Sequence, residues 1–357
     1  MSPTTIHFAR PAAPRLPRLR GRALVTGATG FIGAHVVSAL LDRGVRVRAL
    51  VRPGRPVDRL RRAGVETAEG DLLDRDSVRR ALEDCEMLFH VAALYTFSAP
   101  DPALVFRTNV DGTRTILETA RHLQKIVYTS TVGALGTHSD GRPADENVPV
   151  TERDLVGAYK KSKFRAQEIA HDLARNGAPI VIVNPTAPVG PGDVKPTPTG
   201  QMIVDYMKGR MKAYVETGLN LVAVEDVAEG HCLAAERGRV GERYILGGRN
   251  FHLREVFEAL ARITGVPAPT RRVPHWIPLA AAFVSTAAAR CAGRIPALSF
   301  EQVRLSTKFM YFDGSKAVQE LGMPQSSPVV ALERAVSWFR NGTDYARVPR
   351  LREAAGP

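Results

Sequence analysis

Only three cysteines, Cys85, Cys232 and Cys291, are spread over 357 residues, and none lies near another. Such spacing excludes a disulfide framework and a zinc site, so no metal is expected, and it fits a reducing, cytoplasmic compartment. Aromatic residues are scarce at 6%, and none alternates with basic residues. A base-stacking surface is therefore not expected, nor is nucleic acid as a partner. No apolar run reaches the ~20 residues of a membrane-spanning helix. The most apolar stretch, Ile277–Ala292, is interrupted by Ser285, Thr286 and Arg290. It reads as a helix, buried or at a surface, and around Phe283 it offers a place for peripheral membrane contact. The N-terminal stretch with Arg10, Arg15, Arg18, Arg20 and Arg22 has no acidic residue and no secretory apolar segment.

What remains is the composition of a soluble globular protein, 44% hydrophobic and 24% charged, with a net charge of +13. Phosphates on a small-molecule ligand give part of that positive excess a use.

Short β-branched runs alternate with helical patterns from Ala23 onward. Strands are expected at Ala23–Thr26, Val45–Val51, Val65–Glu69, Met87–Val91, Ile126–Thr129 and Pro179–Val183. Helices are expected at Phe31–Arg43, Asp76–Leu82, Val110–His122 and Leu155–Arg175. This alternation predicts an α/β fold with a doubly wound parallel sheet, which binds ligands at the C-terminal strand ends. After about residue 185 the pattern loosens. Asn184 to Asp193 and Lys195 to Gly200 are so rich in Pro and Gly that an irregular loop is expected. Helices should follow at Asp226–Glu236, Leu253–Thr264 and Val329–Arg340, with short strands near Leu221 and Tyr244.

The first strand runs directly into Gly27-Ala-Thr29-Gly30-Phe31-Ile32-Gly33 and an amphipathic helix. Gly27 permits the tight turn, Gly30 lets the backbone approach a pyrophosphate, and Gly33 lets the helix pack on the sheet. The helix start then offers free amides and a positive dipole end. Turns use glycine for many reasons, but at the first strand-to-helix junction of an alternating chain this is a dinucleotide signal. The chain accordingly divides into a flexible tail (1–21), a Rossmann core (22–184), a smaller C-terminal α/β substrate lobe (185–343) returning elements to the core, and a frayed tail (344–357). The second strand ends Val51-Arg52-Pro53-Gly54-Arg55, with no acid to bond a ribose 2′-hydroxyl. Arg52, and with it Arg55, suits a 2′-phosphate, so NADP is the expected cofactor and NAD the alternative.

Tyr159 and Lys163 lie four residues apart, on one face of the expected helix. A phenol titrates near 10, too high for a base at neutral pH. A neighbouring ammonium and an oxidised nicotinamide would both lower that value. Such a pair alone is ordinary helix surface. The fifth strand, however, ends Tyr128-Thr129-Ser130-Thr131, and Asn109 falls near a helix start before it. These add a substrate-orienting hydroxyl and a water-holding amide.

In this order, the glycine turn, Asp71-Leu72, His90-Val-Ala-Ala93, Asn109, the hydroxyl run and Tyr159/Lys163 resemble an extended short-chain dehydrogenase/reductase, from about Arg22 to Arg340. Within that superfamily the chain is similar to dihydroflavonol-reductase-like proteins. It looks closest to hopanoid-associated sugar epimerases, through Pro143 to Glu146, Gly157 to Lys163, Lys195 to Gly200 and Thr217 to Leu221. The resemblance implies that Thr131 is the catalytic hydroxyl and that Asp71 and Leu72 contact adenine. It also implies that Ala92 and Ala93 line the cofactor, that Pro185 borders the nicotinamide, and that the protein is a homodimer. Two positions depart from related patterns: Ala223 where many members carry His, and Gly192 where close relatives carry a basic residue. Both fall on the substrate side. The leading reading is a nucleotide-sugar epimerase or dehydratase that retains its cofactor and is linked to hopanoid lipid metabolism; the alternatives are an NADPH-dependent ketone or aldehyde reductase and, after it, a catalytically inert dinucleotide sensor.

Overall fold

The structure, a computed structural model, describes residues 19–95, 101–291, 303 and 308–341. The six expected strands form as β1 Arg22–Thr26, β2 Arg46–Val51, β3 Glu66–Glu69, β4 Met87–His90, β5 Lys125–Thr129 and β6 Ile180–Pro185. Six shorter strands follow: β7 Ala187–Val189, β8 Ala213–Tyr214, β9 Gly218–Ala223, β10 Arg243–Leu246, β11 Arg249–His252 and β12 Arg271–Arg272. Seven strands make one parallel sheet in the order β10-β6-β5-β4-β1-β2-β3, so β10 returns to the edge of the main sheet.

Side chains alternate across this sheet, and both faces are buried. Ala23, Val25, Phe89, Val127 and Val181 pack on α1 (Phe31–Asp42) and α8 (Val224–Arg237). Leu24, Leu88, Ile126 and Ile180 pack on the other side, against α3 (Arg75–Leu82), α5 (Gly112–Thr119) and α6 (Ala158–Arg175). Two buried faces explain why the strands read as unbroken apolar runs and not as alternating ones. A third core joins β7, β9 and β11 to α7 (Pro198–Met207), α9 (Leu253–Thr264) and the helix Pro328–Arg340.

Two expectations need correction. The Pro/Gly-rich stretch is not wholly irregular: Ala187–Val189 forms β7, paired with β9, and Pro198 opens α7. Pro188 is tolerated because β7 is an edge strand of its small sheet. Pro198 takes the first helical position, where a missing N–H costs nothing, and the Thr197 hydroxyl accepts from Gly200 N at 3.2 Å. Nor does the helix before β5 begin at Val110. It starts with α4 (Pro102–Phe106), passes through a π-turn at Arg107–Asp111 and continues as α5. The C-terminal tail and residues 1–18 of the N-terminal one fall outside the described residues, while Leu19 packs against the core.

Candidate active site

Strand order reverses between β1 and β4, opening a crevice at their carboxyl ends. The glycine turn lies on one lip and the β4 loop on the other. Gly27 has φ +73°, and a Cβ there would lie 2.8 Å from Ala92 N. A Cβ on Gly33 would collide with the Gly27 carbonyl oxygen, and one on Gly30 would stand 3.2 Å from the same atom. The turn therefore admits no side chain at Gly27 or Gly33 without moving. Gly30 precedes α1 without any side-chain cap, and both it and Thr29 are exposed. Phe31 and Ile32 are half-buried, as is Ala92; Ala93 is exposed. A bare helix start in a cradle too tight for Cβ atoms fits a dinucleotide pyrophosphate.

At the end of β2, Arg52 and Arg55 are exposed, and Arg59 of α2 (Asp58–Arg62) is half-buried beside them. None of the three guanidinium groups has an ion-pair partner among the described residues. Burial, then Arg62, holds Arg59 below its ordinary pKa. Sequence reading missed Arg59, which lies inside a short helix with no motif around it. Asp71 and Leu72 follow β3, Asp71 exposed and capping Leu73 N at 2.9 Å.

Tyr159 is the second residue of α6, just after Gly157 at φ +91°. Its phenol is hydrogen-bonded to the Thr131 hydroxyl, which also accepts from Gly133 N at 3.1 Å. Lys163 is buried, donates to the Thr129 carbonyl at 2.6 Å, and stands 4.5 Å from the centre of the Tyr128 ring. The structure thus brings Thr131, Tyr159 and Lys163 to one place, where β5 meets α6.

Their charges differ from the sequence expectation. Burial raises the Tyr159 phenol well above its ordinary value, and the Thr131 hydrogen bond only partly opposes it. Burial also pushes Lys163 down to about 7. With Tyr159 half-buried and Lys163 buried, desolvation favours the neutral form of both groups. Lys163 alone does not make the phenol a base.

Asn109 sits in the π-turn, buried, with its amide fully engaged. Its Oδ1 accepts from Leu94 N at 2.7 Å, and its Nδ2 donates to Leu94 O at 3.1 Å and Ser162 Oγ at 3.0 Å. It braces the loop after β4 against α6. His90, which sequence reading placed only within a motif, bridges Thr26 Oγ1 at 2.8 Å and Thr113 Oγ1 at 2.9 Å. Thr26 then accepts from Ala92 N at 3.1 Å, which fixes the crevice lip.

On the substrate side, Pro185 ends β6, and Asn184 beside it donates to the Thr131 carbonyl at 2.9 Å. His35 of α1 ties down the following loop through Pro191 O at 2.9 Å. Gly192 has φ +97°, so the basic residue of relatives would be strained here. Ala223 is buried at the start of α8. Tyr95 meets Tyr159 edge-on, ring centroids 4.6 Å apart. Asp193 was not singled out from sequence. Its Oδ2 accepts from Thr197 N and Oγ1, its Oδ1 is buried without a hydrogen bond, and burial lifts it to about 6.

The model of the NAD dependent epimerase/dehydratase family matches residues 23–247. The chain is 47% identical over 323 residues to a Synechocystis protein with a provisional dihydroflavonol 4-reductase name, covering 89% of this chain and 94% of that one. It is 36% identical over 324 residues to sterol demethylase protein B of Methylococcus capsulatus, covering 89% and 98%. Among solved structures, that of gox2253 is similar with a TM-score of 0.80 and 46% identity, covering 89% of this chain and 98% of that one.

Proposed function

The chain belongs to the NAD dependent epimerase/dehydratase family, and from that premise we propose that it is an NADP-using oxidoreductase acting on a carbonyl or hydroxyl carbon of a small molecule. The observation that carries this reading is the junction of Thr131, Tyr159 and Lys163 beside a glycine cradle. Gly27, Thr29, Gly30, Phe31, Ile32 and Gly33 would hold the pyrophosphate. Arg52 would hold a 2′-phosphate, with Arg55 and Arg59 adding positive charge. Asp71 and Leu72 would flank adenine, and Ala92, Ala93 and Pro185 would line the rest. Bound there, the nicotinamide supplies the hydride chemistry.

The protein's own share is proton supply and positioning. Thr131 orients the substrate oxygen, and Tyr159 gives it a proton during reduction or takes one during oxidation. Neutral Tyr159 is the form that donates the proton in reduction. Lys163, anchored on Thr129 O one helical turn from Tyr159, would hold the nicotinamide ribose hydroxyls and favour the phenolate when charged. Asn109 acts here as a positioning residue through Ser162 and Leu94.

Net reduction, as for the reductase-named relative, is preferred to cofactor-retaining epimerisation because the β2 end presents arginines and no acid. The test is NADPH consumption with a panel of ketones and aldehydes. Stoichiometric oxidation is expected, with Tyr159→Phe losing about 10²–10⁴-fold in rate while NADPH still binds. Sugar-nucleotide interconversion with retained NAD and no NADPH use would sink the reading. Unchanged activity in Tyr159→Phe would favour a sensor.

A cytoplasmic homodimer is the proposed form, to be checked by light scattering. Among the described residues no helix is long and apolar enough to cross a membrane. The helix Trp276–Cys291 nevertheless presents Trp276 and Phe283, 67% and 69% exposed, just after exposed Arg271 and Arg272. Peripheral binding to anionic lipid is the proposed use. Absence of flotation with anionic vesicles at low salt removes it.

A further inference from the structure

Lys160 follows Tyr159 on α6, and nothing above gives it a task. Its stem runs along Gly133: a Cβ on that glycine would lie 3.4 Å from Lys160 Cγ and Cε. The same Cβ would lie 3.4 Å from Thr131 Oγ1. One glycine therefore separates the lysine stem from the hydroxyl that meets the Tyr159 phenol.

Lys160 is half-buried and has no hydrogen bond or ion pair among the described residues. Two other lysines with shielded ammonium groups are provided for: Lys316 pairs with Glu242 at 2.7 Å, and Lys163 donates to Thr129 O. The charge acting on Lys160 is instead of like sign, Lys308. Burial, then Lys308, lowers Lys160 to about 8, so its ammonium form still predominates at neutral pH. Asp154, which feels Lys308, is exposed and committed to Thr151 N and Oγ1 at 2.8 and 2.7 Å. Lys160 thus carries a partly desolvated ammonium on a stem that lies beside the Thr131 hydroxyl, and the charge it feels from Lys308 repels it and supplies no counter-ion. Such an arrangement costs free energy until an anion joins it.

We infer that Lys160, backed by Lys308, forms an anion subsite that binds a carboxylate or phosphate of the substrate next to the carbon served by Thr131 and Tyr159. The inference rests on the hydride-transfer reading for its position beside the reacting carbon. Its anion chemistry can be tested separately. A lysine gives three donors on a point charge and accepts either oxyanion. The source is then a carboxylate close to the carbonyl or the diphosphate of a sugar nucleotide.

The experiment measures calorimetric binding to the NADP⁺-loaded protein of acetoacetate, ethyl acetoacetate and UDP-glucose. Wild type is compared with Lys160→Met, which keeps the stem, Lys160→Arg, which keeps the charge, and Lys308→Met. NADP⁺ affinity and circular dichroism report folding. Wild type should bind one anion at least about tenfold more tightly than the neutral ester, as one charged hydrogen bond allows. Lys160→Met should abolish that preference, Lys160→Arg restore most of it, and Lys308→Met weaken it less. Loss confined to acetoacetate identifies a carboxylate, and loss confined to UDP-glucose a phosphate. No preference in wild type, or equal effects of Lys160→Met on ester and anions, overturns the subsite. If NADPH oxidation fails with every carbonyl while the Lys160-dependent preference persists, the hydride reading falls and the anion site remains.

Discussion

Acid should unfold this protein through two histidines that cannot accept a proton where they sit. His90 lies between the Thr26 and Thr113 hydroxyls, and His231 between Thr129 Oγ1 at 2.9 Å and Val227 O at 2.7 Å. Burial, then Lys163, pushes His90 down to about 3; burial pushes His231 down to about 4, both from 6.5. The unfolded chain takes up protons below 6.5 and the native state does not, so stability falls as pH drops from 6.5 toward 4. At pH 5 each histidine costs about 2 kcal/mol relative to pH 7, or about 4 kcal/mol together. Asp193 acts in the opposite sense. Raised to about 6 from 3.8, it takes its proton in the native state first. That returns about 1 kcal/mol at pH 5; His171, pushed down to about 4, and His35, also lowered by burial, add to the loss, so the net is at least about 3 kcal/mol. With a urea m-value of about 3 kcal/mol/M, the midpoint should fall by at least about 1 M between pH 7 and pH 5. Urea titration followed by circular dichroism reads it directly. His90→Gln can still reach both threonines but does not titrate, and should remove about 2 kcal/mol of the pH dependence. A flat midpoint in the wild type, or an undiminished slope in His90→Gln, refutes the reasoning.

Three further outcomes follow from the site. Gly33→Ala should abolish NADPH binding measured by fluorescence, because its methyl group would enter the Gly27 carbonyl and the turn must move; retained affinity would show that the cradle is not the cofactor site. Replacing Arg52 and Arg55 together with Glu should shift the NADPH-to-NADH preference by at least about tenfold toward NADH, by repelling a 2′-phosphate. An unchanged ratio would point to Arg59 or to no arginine at all. Asn109→Ala should lower the urea-unfolding stability by about 1–3 kcal/mol, since Leu94 N and O lose their side-chain partner and Ser162 Oγ loses a donor, and lower kcat more than it raises KM.

The features legible in the sequence are those whose physics is local. β1, the glycine turn and α1 are consecutive, and Tyr159 and Lys163 are one helical turn apart, so spacing alone places them. The strands were readable because two buried faces leave unbroken apolar runs. What escaped depends on partners far along the chain. His90 meets Thr26 across 64 residues. β7 exists because β9 pairs with it, which no property of Ala187-Pro-Val189 announces. Arg59 and Lys160 stand out only once the structure shows that no ion-pair partner meets them among the described residues.

The burial of Tyr159 and Lys163 was not legible for a related reason. Spacing reveals the charge of Lys163 but not the burial of either group, and burial is the larger effect on both. The same burial has a second consequence. In a pocket of low effective dielectric, any cation brought close acts on the phenol far more strongly than it would in water. A site that keeps Tyr159 and Lys163 near neutrality when no such charge is present is therefore one whose proton affinity responds to what is bound beside it. That follows from the packing of α6 against β5, and the four-residue spacing is only the part of it that a sequence can display.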